Sequence, residues 1–184
     1  MNVVSKERPN ETPESAIPAQ DFRQAANDIC EKALNDAKEK LHPLLRNTEL
    51  HQLRQRKEFI QAFKLALEQR IAQTLASWHP NVQAVFEFDE SWMESREVWD
   101  GSIHLLVKVP RLSNAIKMIG KRLDQSLTRC LQQLGWSRFL KYQSILEIQQ
   151  VTPNELRHGV SYGAMFSAVY SVPVKVWSPN RQTR

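Results

Sequence analysis

The chain reads as an α+β domain: two N-terminal helices followed by a small mixed β-sheet with helices packed on one face. Three observations predict this. Residues 21–78 carry apolar side chains at helical spacing and no alternating run. After Pro80 the texture changes to short strand-like runs at 82–88, 102–109 and 144–151. Between the last two of these lies one long amphipathic stretch, 112–134.

Each element follows from local chemistry. Residues 1–20 hold Pro9, Pro13 and Pro18 among polar residues and are expected to form a disordered tail. A first helix is predicted over 21–41, with Asp21 as N-cap and Phe22, Ala25, Ala26, Ile29, Ala33, Leu34, Ala37 and Leu41 on one stripe. A second is predicted from Thr48 to Trp78, with Leu53, Ile60, Phe63, Leu67, Ile71 and Leu75 as its stripe; His79-Pro80-Asn81 ends it. In the first strand Val82, Ala84, Phe86 and Phe88 alternate with Gln83, Val85, Glu87 and Asp89. Ser102 to Val109 is the second strand, closed by Pro110. The helix over 112–134 stops at Gly135, a C-cap candidate. Ser144 to Val151 is the third strand. Thr152, Pro153 and Glu155 then spell a capped helix start, and that helix is expected to run to Tyr170. Val172 to Trp177 can form a short final strand. The organisation is thus a tail (1–20), a helical segment (21–80), an α/β unit (81–177) and a tail (178–184).

Composition bounds the function. With 184 residues, 41% hydrophobic and 24% charged, one packed domain is expected and wholesale disorder is excluded. No apolar run approaches ~18 residues, so no membrane partner is expected, and the polar N-terminus does not read as a secretory signal. Cys30 and Cys130 lie a hundred positions apart. They form neither a disulfide framework nor a metal-ligand spacing, and a reducing, cytoplasmic setting is expected. The net charge of +5 mildly favours anionic partners.

Three phrases bear on chemistry. The first strand ends Phe88-Asp89-Glu90-Ser91. The second begins Ser102-Ile103-His104-Leu105-Leu106-Val107, with ten residues between Ser91 and Ser102. The third holds Leu146-Glu147-Ile148. In their order and spacing, over roughly residues 65–177, these elements resemble the minimal nucleotidyltransferases of the DNA polymerase β-like superfamily. The resemblance implies a nucleotidyltransferase-like layout. It places Ser91 at the family serine and Glu147 at the third carboxylate. Ser102 and His104 stand where the family has two metal-binding aspartates, and Glu90 stands where it has glycine. A hydroxyl and an imidazole do not replace two carboxylates around Mg²⁺. The candidate residual site is therefore Ser91, His104 and Glu147, with no metal and no cofactor expected. The leading expectation is a non-catalytic binding or assembly protein with a protein partner. The alternatives are a nucleic-acid-binding accessory protein and an atypical active nucleotidyltransferase.

Two basic sets and three other features stand out. Arg54, Arg56, Lys57, Lys64 and Arg70 lie on the second helix with Glu58 and Glu68 among them, which reads as a solvated face. The denser set, Lys108, Arg111, Lys117, Lys121, Arg122, Arg129, Arg138 and Lys141, has few acids beyond Asp124 and is the candidate anion-binding surface. The acidic loop with Asp89, Glu90, Glu94, Glu97 and Asp100 around Trp92 and Trp99 is either a recognition loop or a solvated connection whose tryptophans fold back on the sheet. His104 is either a site residue or a half-buried strand histidine with one hydrogen-bond partner. Tyr162, Phe166 and Tyr170 recur every fourth residue and read as core packing beside the small residues Gly159, Gly163 and Ala164.

Overall fold

The computed structural model of the chain describes residues 19–88, 99, 101–136, 144–168 and 172–179. Helix α1 spans Ala19–Glu39 and buries Phe22, Ala26, Ile29, Ala33 and Ala37 of the predicted stripe together with Cys30, while Ala25 and Leu34 are only half-buried at its margins. The second predicted helix is divided. A single turn, α2 (Leu50–Leu53), is followed by α3 (Lys57–Trp78). The physical reason lies in the run Arg54-Gln55-Arg56-Lys57-Glu58. It offers nothing apolar between Leu53 and Phe59, both fully buried, so the stripe is interrupted and the chain turns.

Four strands form a mixed sheet among the described residues: β1 (Ala84–Glu87), β2 (Ile103–Lys108), β3 (Leu146–Val151) and β4 (Val174–Trp177), in the order β3-β2-β1-β4. β1 pairs antiparallel with β2 and with β4, while β2 and β3 run parallel. Parallel neighbours need a crossover. Helix α4 (Asn114–Gln133) supplies it, packing on β3 and on α1. Gly120 brings α4 close to the sheet, because a Cβ there would stand 3.0 Å from Ile148 Cδ1. Gly135, at φ 77°, turns the chain off the end of α4 as its C-cap role requires.

The main core lies between the long helices and one sheet face. Ile103, Leu105 and Val107 of β2 meet Ile116, Leu123, Leu127 and Leu131 of α4 and Phe63, Leu67 and Ile71 of α3. Strand β1 turns its apolar alternate positions the other way. Phe86 and Phe88 join Leu106 and Val151 in a smaller cluster on the opposite face. Its cover is α5 (Pro153–His158) and a 3₁₀ segment (Ser161–Ser167), through Leu156, Tyr162, Met165 and Phe166. The start of α5 is the capping box that the sequence predicts: Thr152 accepts from the Glu155 N–H, and the Glu155 carboxylate accepts from the Thr152 N–H. The helix does not continue to Tyr170. Gly159 takes the left-handed conformation, φ 61°, and the chain folds back into the 3₁₀ segment. Gly163 permits this return, since a Cβ there would lie 2.1 Å from the Glu155 carbonyl oxygen.

Candidate functional site

Strand alternation decides which side chains share a surface. Odd positions of β2 enter the main core, so His104, Leu106 and Lys108 point to the opposite face. The parallel register places Glu147 beside His104. Glu147 Oε2 lies 3.1 Å from His104 Nδ1, and Gln149 Nε2 donates to Glu147 Oε1 at 2.6 Å. Both carboxylate oxygens of Glu147 are therefore engaged. The His104 ring lies 5.6 Å from that of Phe88, which lies 6.3 Å from Tyr162. The His104 side chain is 25% exposed and that of Glu147 48%, so the pair opens to solvent from an aromatic wall.

A carboxylate at Nδ1 orients an imidazole and favours the tautomer with its proton on that nitrogen. His104 Nε2 has no hydrogen-bond partner among the described residues, leaving it able to accept or donate a proton toward solvent. The donor set suits hydrogen bonding better than a hard cation, which asks for several oxygen anions. Among the described residues no group of three or more His, Cys, Asp or Glu is placed to hold a metal ion. Of the predicted residual site, His104 and Glu147 are thus brought together. Ser91 lies outside the described residues, as do Asp89, Glu90, Trp92, Glu94, Glu97 and Asp100. Trp99 does fold back: its indole N–H donates to the Ser102 carbonyl at 2.6 Å, and its ring packs near Phe63 and Trp136. Gln149 and Phe88 were not singled out as site residues. The period of two already placed Gln149 on the face of Glu147, whereas no sequence signal linked Phe88 to His104.

The basic residues divide by location. The predicted anion set does not form one surface. Lys108 shares the face of His104, Arg111 is exposed in the loop after β2, and Lys117, Lys121, Arg122 and Arg129 lie on the outer side of α4. Arg138 and Lys141 are outside the described residues. The outer side of α4 carries no acid, because the one acidic residue of that helix, Asp124, points inward. There it accepts from the backbone N–H groups of Ile145 and Leu146 at 2.8 and 2.9 Å. Arg122 also lies over the Phe22 ring, 5.8 Å from its centroid.

The cations before and along α3 face inward partners. Arg54 donates to the carbonyls of Leu134 and Gly135 at the end of α4. Arg70 grips Asp36 of α1 through two nitrogens, at 2.7 and 2.9 Å, which holds the Asp36 carboxyl below its ordinary range. Lys64 pairs with Glu87 of β1 and lies 3.4 Å from the buried Glu68. Burial pushes the Glu68 carboxyl up to about 8, with Lys64 pulling it down and Glu87 pushing it further up.

Comparison with protein-family models, curated proteins and solved structures returns no match. The chemistry of the site accordingly rests on its own atoms: an oriented imidazole against an aromatic wall on one sheet face, and an acid-free cationic helix face on the other side of the sheet.

Proposed function

We propose that the chain is a non-catalytic binding or assembly protein, built on a nucleotidyltransferase-like layout whose metal site is lost. The observation that carries this reading is the double engagement of Glu147. Phosphoryl transfer through two metal ions needs carboxylates free to bridge them and neutralise the triphosphate. Here the carboxylate on β3 is held by His104 and Gln149, and β2 offers an imidazole where an aspartate would stand. The same groups, with the partly exposed Tyr162 nearby and the buried Phe88 behind His104, present a polar patch suited to contact with a protein surface. The test is incorporation of α-phosphate label from ATP, GTP, CTP or UTP into protein, RNA or small acceptors, with Mg²⁺ or Mn²⁺. Label transfer should not exceed that of the Glu147→Ala variant. Robust transfer that disappears in Glu147→Ala would replace this reading with an active nucleotidyltransferase.

A second reading is favoured by the outer face of α4. Lys117, Lys121, Arg122 and Arg129 are exposed on one helix whose acid is turned inward, an arrangement that can follow a phosphate backbone. In that reading nucleic acid is the partner and α4 the contact.

A further inference from the structure

The two cysteines that the sequence separates by a hundred positions meet in the core. Cys30 lies on the buried stripe of α1 and Cys130 on that of α4, the two helices pack against each other, and both cysteines belong to one buried cluster. Ala26, Ala33 and Ala37, all on the same stripe of α1, are small enough to let a neighbouring helix approach closely. Each thiol perturbs the ionisation of the other, as two sulfurs close together in the core do. The neighbouring thiol, with burial adding to the effect, pushes the Cys30 thiol up. Cys130 is also the more open of the two, 7% exposed against 1%. The more open sulfur is the one better placed to meet an oxidant first.

We propose that Cys30 and Cys130 form an oxidation site at which a hydroperoxide closes a disulfide between α1 and α4. The Cys130 thiolate attacks one peroxide oxygen, the O–O bond breaks, and the departing hydroxide takes up a proton as water, leaving a sulfenic acid on Cys130. Cys30 then gives up its proton, and its sulfur attacks the Cys130 sulfur. The sulfenic hydroxyl leaves with that proton as a second water. Two thiols and one hydrogen peroxide become one disulfide and two waters; sulfur loses the two electrons that the peroxide oxygens gain.

The experiment treats the native full chain with hydrogen peroxide, then unfolds it, alkylates free thiols and measures intact mass and peptides. The expected result is a product short of two hydrogens that takes up no alkylating agent. It should yield one linked peptide pair containing Cys30 and Cys130. Its formation should not depend on protein concentration, and dithiothreitol should restore both thiols. In Cys30→Ser the linked pair should be absent, and Cys130 should proceed to sulfinic acid instead. The wild-type measurement decides the matter even where a variant folds poorly. Two thiols still alkylated after a dose that fully oxidises free cysteine would overturn the proposal. So would separate oxidation of each residue to sulfinic acid without a linked pair.

Discussion

The cations around α3 and those of α4 are chemically alike but differ in where their counter-charges lie. Arg54 reaches backbone carbonyls at the end of α4, Lys64 sits between Glu68 and Glu87, and Arg70 holds Asp36. These side chains join elements that are distant in sequence. Lys117, Lys121 and Arg129 stand on the outside of a helix whose carboxylate, Asp124, anchors the start of β3 instead. The comparison teaches that a helix is an anion surface only when its acids are turned away and its cations are not taken up by neighbours. In the linear sequence, mixed charge marked the first set as solvated and a scarcity of acids marked the second. Only tertiary contacts show that much of the first set is internal glue.

Substitutions can break or sharpen this contrast. The largest effect is expected on the inner side of α4, where Leu123 is fully buried. Leu123→Ala should cost roughly 2–5 kcal/mol in a denaturant melt, as a large-to-small change in a packed core does. A near-zero change would mean that α4 is not anchored by this face.

Next comes Lys64→Met, which leaves Glu87 without its cation and makes ionisation of the buried Glu68 beside it still more costly. A loss of about 1–3 kcal/mol is expected at neutral pH. Glu68 adds a pH signature. Its folded carboxyl titrates at about 8, whereas the ordinary value is 4.5. Between these values the folded chain holds a proton that the unfolded chain has lost, so this group makes stability fall as pH rises through the window. Glu68→Gln should flatten that slope; an unchanged pH profile would show that Glu68 ionises normally. Arg70→Met should matter less, under about 1 kcal/mol, because the pair with Asp36 is about one-third exposed.

The smallest stability effect is expected for Lys117→Glu, Lys121→Glu and Arg129→Glu. Each should stay within about 0.5 kcal/mol. If α4 is the anion surface, the triple variant should lose affinity for DNA, RNA or heparin and show a flatter salt dependence, since each lost phosphate contact removes counterion release. A wild-type chain with no such binding at low salt would remove the nucleic-acid reading.

The sequence made the strands, the long helices and the Thr152 capping box legible because each rests on local periodicity or local capping chemistry. It missed the extent of two helices where a local interruption was passed over. The polar run Arg54-Gln55-Arg56-Lys57-Glu58 breaks the second predicted helix, with Arg54 turned toward the end of α4, and the left-handed Gly159 ends α5 well short of Tyr170. Around β1 the period of two holds for Phe86 and Phe88, which serve the smaller cluster, but Val82 and Val85, which the alternation set on opposite faces, both enter the main core, and Glu87 faces Lys64 of α3. The pairing of His104 with Glu147 depends on the register of two strands separated by α4, and the contact between Cys30 and Cys130 depends on how α1 packs on that helix. Neither pairing has a local signal.

On the reading proposed above, His104 and Gln149 stand at Glu147 where a metal would otherwise bind. Titration of the full chain with Mn²⁺, followed by paramagnetic broadening of backbone amides, tests it directly. The account predicts no saturable broadening centred on residues 103–105 and 146–148. Saturable broadening there in the wild type, absent in Glu147→Ala, would contradict it.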